Sequence, residues 1–204
     1  DAKFIIDASG YARVLPSLMG TAKTAKLPPR KAIFVHCKDE NRPVGREGWM
    51  ITFVVHRVDI WIWVIPFSNG ITSIGVVGNP DFFEQFEGSN EEVIRAIIDQ
   101  DPNYRERFRN TEFLWEPKKL EAYSASTSEM YGPGYAIVGN SVEFLDPVFS
   151  SGVMFATESG ILAGKLAAKQ LQGQEVNWAL EYEKYIQDAV DVFATYVKSW
   201  YDGA

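Results

Sequence analysis

Four runs at 31–38, 49–55, 58–66 and 71–77 crowd Ile, Val, Phe and Trp into one stretch of the sequence. β-Branched and aromatic side chains in short bounded runs favour strands. Asn69-Gly70 stands between the last two runs, a strong short-range signal for a type I′ hairpin. Together the four predict an antiparallel meander. Two shorter apolar runs lie far apart in the chain. One, at 3–7, is stopped by Ala8-Ser9-Gly10, and the other, at 135–139, ends in Gly139. These two are expected to share one sheet and the meander to form another, which gives an α+β, or mixed α/β, chain.

Helical signals lie outside the strands. Ser89-Asn90-Glu91-Glu92 reads as a helix start, followed by Val93, Ile94, Ile97 and Ile98 at helical spacing and stopped by Asp101-Pro102. Residues 152–172 predict one long helix with Gly152, Ala156, Gly160, Gly164 and Ala168 four apart, a flat stripe suited to close approach to a sheet. The last segment, 176–201, sets Trp178, Tyr182, Tyr185, Ile186, Ala189, Phe193, Tyr196, Val197 and Trp200 on one face and predicts an amphipathic helix that packs on the body. Residues 21–30, with Pro28-Pro29, read as a connection, and 118–126 as a returning strand.

Composition narrows the partners. The 20 basic and 27 acidic residues leave a net charge of −7, against a nucleic-acid or anionic-membrane partner. One cysteine, Cys37, excludes an internal disulfide and fits a reducing compartment, so a cytoplasmic location is expected. No charge-free apolar run is long enough to span a membrane. The chain opens on Asp1 without Met or a signal-type segment, and reads as starting within a longer protein. His36 and His56 lie on strand-like runs without metal-ligand spacing, so both read as structural and no metal is expected. His36 and Cys37 are strand neighbours and point to opposite faces, so they form no nucleophilic pair.

The stretch 139–152 carries the chemistry. A strand ends in Gly139, where a bulky ligand can approach the backbone, and the polar Asn140 follows. Asp146-Pro147 makes a rigid turn, and Ser150-Ser151-Gly152 opens the long helix. Free amides and the helix dipole make such a start an anion site. A serine that merely caps the helix accounts for the same residues.

The stretch resembles the C-terminal flavin motif of the p-hydroxybenzoate-hydroxylase-like flavoproteins, with Gly139-Asn140-Ser141 in place of Gly-Asp-Ala. Asp7-Ala8-Ser9-Gly10 resembles the second motif of that superfamily. Two further fingerprints resemble those of flavin-dependent halogenases: Trp61-Ile62-Trp63-Val64-Ile65-Pro66 and Phe144-x-x-Pro147-x-x-Ser150-x-Gly152. Asn140 departs from the usual aspartate. Its side-chain oxygen still accepts a hydrogen bond from a ribityl hydroxyl, without charge.

The resemblance implies FAD, reduced by a separate flavin reductase, and a halide from which hypohalous acid is made. It implies flavin contacts at Asp7, Gly10, Gly139, Asn140, Pro147, Ser151, Gly152 and Val153, halide at the amides of Ser151 and Gly152, and a substrate or tunnel wall at Trp61, Trp63, Pro66 and Phe149. Trp61 and Trp63 as a packed core pair is the competing reading. Phe149 stands where tryptophan-specific members hold a glutamate, which points to a phenolic or pyrrole substrate, tethered to a carrier protein in some members, and away from free tryptophan. The family's Gly-x-Gly-x-x-Gly fingerprint and catalytic lysine are implied to lie upstream, not at Lys165 or Lys169. The chain alone is therefore expected to be an inactive fragment: 1–20 part of the FAD-binding domain, 21–130 an antiparallel-sheet substrate domain, 131–172 the FAD-contacting strand, loop and helix, and 173–204 a C-terminal helix. A dehydrogenase, reductase or aromatic hydroxylase of the same fold shares the flavin motifs. A binding domain that has lost flavin, with Asn140 as the lesion, shares the fold alone.

Overall fold

A computed structural model describes residues 1–121 and 123–203. In chain order the elements are β1 (Ile5–Asp7), α1 (Val14–Met19), β2 (Ala22–Lys23), β3 (Lys31–Lys38), β4 (Thr52–Arg57), β5 (Ile60–Pro66), β6 (Ile71–Gly78), α2 (Pro80–Phe83), α3 (Asn90–Gln100) and α4 (Arg105–Phe108). There follow β7 (Lys118–Glu121), β8 (Ala125–Thr127), β9 (Tyr131–Gly132), β10 (Tyr135–Ile137), β11 (Glu143–Phe144), α5 (Gly152–Leu171) and α6 (Lys184–Asp202). They divide into two units, Asp1–Pro28 with Tyr123–Ala204, and Pro29–Ala122.

The second unit is built on a five-stranded sheet in the order β4-β5-β6-β3-β7, antiparallel throughout. Only β4 to β6 form a meander. β3 lies on the far side of β6, with Lys31 opposite Gly78 and Lys38 opposite Ile71, not beside β4 as a four-strand meander requires. One face carries Ile33, Val35, Cys37, Ile62, Val64, Ile74 and Val76, and it buries them against Val93, Ile94, Ile97 and Ile98 of α3 together with Phe82, Phe83 and Phe108. Each such aliphatic side chain contributes about 1.5–3 kcal/mol when fully buried. The start of α3 is fixed by a capping box: the Ser89 hydroxyl accepts from the Glu92 amide, and the Glu92 carboxylate accepts from the Ser89 amide.

The turn at Asn69-Gly70 differs from the two-residue loop its sequence suggests. The Phe67 amide donates to the Ile71 carbonyl at 2.7 Å, so three residues, Ser68 to Gly70, make the loop. Gly70 alone takes a positive φ, 85°. A type I′ turn needs positive φ at both central residues, whereas three-residue hairpins need one, on the glycine.

In the first unit β1 pairs in parallel with β10, and β9 in antiparallel on its other side. The runs at 3–7 and 135–139 thus share a sheet. The predicted strand at 118–126 is divided: β7 belongs to the five-stranded sheet, β8 pairs with β11 and β2, and Ala122 lies outside the described residues. The small stripe of α5 approaches its neighbours closely only at its start, Gly152 and Ala156, and is not the packing face of the rest of the helix. Buried positions are Ser159, Ala163, Leu166 and Ala167, and a Cβ on Gly160 or Gly164 would meet nothing within 4 Å. On α6 the buried stripe is Ile186, Val190, Ala194 and Val197, one turn-face away from Tyr185 and Tyr196, which are exposed. A π-helical turn, Ala179–Glu183, precedes α6 and buries Tyr182, whose hydroxyl donates to the Ile137 carbonyl at 2.5 Å.

Candidate active site

β1 and β10 end side by side, which brings two distant motifs together. The hydroxyls of Ser9 and Ser141 stand 3.2 Å apart, and Ser141 Oγ donates to the Gly10 carbonyl at 3.3 Å. Asp7 does not face open space. Its carboxylate accepts from the Ser9 amide at 2.8 Å and the Leu15 amide at 2.7 Å. Burial alone would raise this carboxyl, but the Ser9 hydroxyl and those amides outweigh it and hold it below the usual range. The aspartate therefore shapes the turn between β1 and α1.

Beside this junction is a cleft of about 330 Å³ walled by Ala8, Gly10, Gly139, Asn140, Gly152 and Val153, with Val138, Phe144 and Ala156 completing it. Of the flavin contacts implied by resemblance, Gly10, Gly139, Asn140, Gly152 and Val153 are on that wall; Asp7, Pro147 and Ser151 are not. Gly139 takes a left-handed φ of 58°, and its amide donates to Ser159 Oγ at 2.9 Å. A Cβ there would stand 3.1 Å from the Cβ of Ala156, so the strand end sits tightly on α5. Ser159 has no signal in the local sequence; Ala156 belongs to the small stripe, whose first members do serve close approach. The Asn140 side chain has no hydrogen-bond partner among the described residues.

The 20-residue helix α5 starts at this cleft, and the side chain of Ser151 makes no capping hydrogen bond. A capping serine is thus not what the structure shows. The first-turn amides are left without a side-chain acceptor, the condition for anion binding at a helix start. The approach to α5 is a 3₁₀ turn, Pro147–Phe149, with Ser150 at φ 52°. Asp146 caps that turn through the Val148 amide at 2.9 Å. Phe149 lies 6.1 Å from the Tyr196 ring and 6.4 Å from the Trp200 ring, centroid to centroid, so the aromatic end of α6 covers this loop.

In the second unit, Trp61 and Trp63 lie on the sheet face opposite the α3 core, with ring centroids 6.0 Å apart. Trp61 is buried; Trp63 is half-buried and donates from Nε1 to Ser73 Oγ at 3.1 Å. Pro66 ends β5 opposite Thr72. A buried charge cluster on this unit was not legible in the sequence. Asp39 accepts from Arg107 at 2.5 and 3.1 Å, from Thr72 Oγ1 at 2.5 Å and from Arg42 at 3.2 Å. Arg42 stands three residues from Asp39, but Arg107 comes from α4, 68 residues on, and the pairing of β3 with β6 brings Thr72 beside Asp39.

The first unit ends a parallel β-strand pair in glycine turns at an uncapped helix start, and the second is built on an antiparallel sheet; the fold is similar to that of flavin-dependent halogenases. The chain belongs to the tryptophan halogenase family, which it matches over residues 1–204. It is similar to a flavoprotein/dehydrogenase of known structure from Cytophaga hutchinsonii, at 50% identity and a TM-score of 0.95, over 98% of this chain and 49% of that one. It is also similar to the flavin-dependent brominase Bmp2, at 26% identity and a TM-score of 0.87, over 98% of this chain and 51% of that one. Among curated proteins it is similar to the 1H-pyrrole-2-carbonyl-(peptidyl-carrier protein) brominase of Pseudoalteromonas luteoviolacea, 26% identical over 90% of this chain and 46% of that protein. The chain spans about half the length of the curated relatives it matches. Among the described residues no helix is long and apolar enough to cross a membrane.

Proposed function

We propose that this chain is the flavin-contacting and substrate-facing portion of an FAD-dependent halogenase. The observation that carries the reading is the unpartnered Asn140 side chain in a glycine-edged cleft at the head of the uncapped helix α5. The residues present fit a flavin. Gly10, Gly139 and Gly152 leave its edges open, Asn140 offers an oxygen to a ribityl hydroxyl, and Val138, Val153 and Phe144 give apolar walls for a ring. When bound, reduced FAD would supply the two electrons with which oxygen, the oxidant, is divided between hypohalous acid, made from halide, and water.

This chain's own residues then bind, orient and exclude. The amides of Ser151 and Gly152 hold the halide, with the α5 dipole favouring negative charge there. Asp7 and Pro147 act behind the wall, as turn-formers. The substrate is an electron-rich ring, of phenol or pyrrole type; Trp61, Trp63 and Pro66 are candidate wall residues of the second unit, and Phe149 is a candidate wall residue of the first. The carrier-protein brominase among the relatives supports a tethered pyrrole, and a separate flavin reductase is the partner that delivers reduced flavin. The similar flavoprotein/dehydrogenase of Cytophaga hutchinsonii favours a second reading, an FAD-dependent dehydrogenase or reductase.

The test uses the full-length protein with FAD, a flavin reductase, nicotinamide cofactor, oxygen, bromide and a reactive phenol. A bromine isotope doublet in the phenol product that requires the protein supports halogenation. Bound flavin and nicotinamide oxidation without a doublet replaces it by the dehydrogenase reading, and the absence of bound flavin removes both.

A further inference from the structure

The loop that delivers the chain into α5 is held from α6. Tyr201 Oη donates to Asp146 Oδ2 at 3.0 Å, and Tyr123 Oη stands 3.5 Å from the same oxygen. The other carboxylate oxygen, Oδ1, accepts from the Val148 amide. Asp146 is buried, so these donors replace water around its carboxyl group. Two residues beyond Val148, Ser150 takes the left-handed conformation, and Ser151 then starts α5. A loop without a sheet or helix ladder has few constraints on its direction, and charge-assisted hydrogen bonds to a fixed carboxylate are short and directional. We propose that Tyr201 is a positioning residue: through Asp146 it sets the aim of the Ser151 and Gly152 amides. The inference rests on the halogenase reading, since those amides are the halide site it assigns.

The variant is Tyr201→Phe in the full-length protein, which keeps the ring and removes only the donor. Asp191→Asn is the control, because it breaks a different α6 contact, the exposed Lys26–Asp191 pair at 3.3 Å. Two readouts are taken: bromide KM and kcat in the coupled assay, and amide hydrogen exchange over 148–152. Tyr201→Phe is expected to raise the bromide KM roughly threefold to tenfold, the loss of about one hydrogen bond. At saturating bromide kcat stays within about twofold, and exchange over 148–152 accelerates. Asp191→Asn is expected to change neither. An unchanged bromide KM in Tyr201→Phe overturns the proposal, whether or not exchange accelerates, and so does an equal effect of Asp191→Asn. Those results differ from a wild-type protein that makes no bromide-dependent product, which overturns the halogenase reading itself.

Discussion

The indole of Trp63 occupies the space that a side chain at position 75 would need. A Cβ on Gly75 would stand 2.2 Å from Cζ2 of Trp63, its cross-strand partner. Phe34, 6.0 Å away centroid to centroid, closes the other side. The glycine in β6 is therefore the complement of the second tryptophan in β5. Gly75→Ala is expected to destabilise the protein by about 1–3 kcal/mol through overpacking. Chemical denaturation of the single variants and of Gly75→Ala with Trp63→Leu checks it. The penalty should shrink in the double variant, and additive effects would remove the contact as its cause.

The proposed flavin site rests on Asn140, and its removal tests that proposal directly. Asn140→Ala is expected to weaken FAD binding about tenfold, the worth of one hydrogen bond. Asn140→Asp keeps an oxygen acceptor and should bind within about threefold of wild type. Fluorescence titration of the apoprotein reads both. Equal affinities for all three proteins would place Asn140 away from the cofactor.

The Asp39 cluster sets a pH dependence. Burial alone would raise this carboxyl, but the hydrogen bonds and charge of Arg107, with Thr72 and Arg42, outweigh it and hold it below the usual carboxylate range. A group depressed in the folded state adds stability above its unfolded pKa, near 3.9. That stability is lost as pH falls through the lower, folded value. Asp39→Asn leaves two guanidinium groups facing a neutral amide, and is expected to cost about 3 kcal/mol at pH 7. The difference between the two proteins should narrow in acid denaturation below about pH 4. A constant difference down to pH 2 would exclude the carboxylate as its source.

Cys37 should be inert. Burial pushes its thiol up to about 12, with Asp39 adding to the shift, and its Sγ–H donates to the Thr72 carbonyl at 3.4 Å. At pH 8 the thiolate is then about one part in ten thousand. An aromatic disulfide reagent is expected to label the native protein only as fast as it unfolds, and to take up one equivalent in denaturant. Prompt labelling of the folded protein would contradict the buried placement.

Where a residue type can satisfy only one backbone or periodicity, the sequence was legible. The capping box at Ser89 and Glu92 and the helical stripe after it follow from local chemistry; that the two short apolar runs share a sheet was also read from the sequence, but their parallel pairing came from the tertiary structure. The strands of the second sheet were legible too, but not their order, because β3 reaches β6 across 32 intervening residues and the hydrophobic pattern is the same for either neighbour. The stripe on α5 misled for a related reason. Small residues permit close packing without requiring it, and the side that packs was chosen by Ser159, Ala163, Leu166 and Ala167.

The sequence by itself determined the element types, the two motif turns and the membership of their residues in one family pattern, since glycine, proline and capping residues act within a few positions of themselves. Tertiary structure alone decided which of those residues reach the cleft. Asp7 turned inward onto two amides while Asn140 was left with none. It also placed Tyr201 on Asp146, across 55 residues of chain. Hydrogen-bond partners of buried polar groups are set by who is nearest in space, and sequence spacing does not carry that distance.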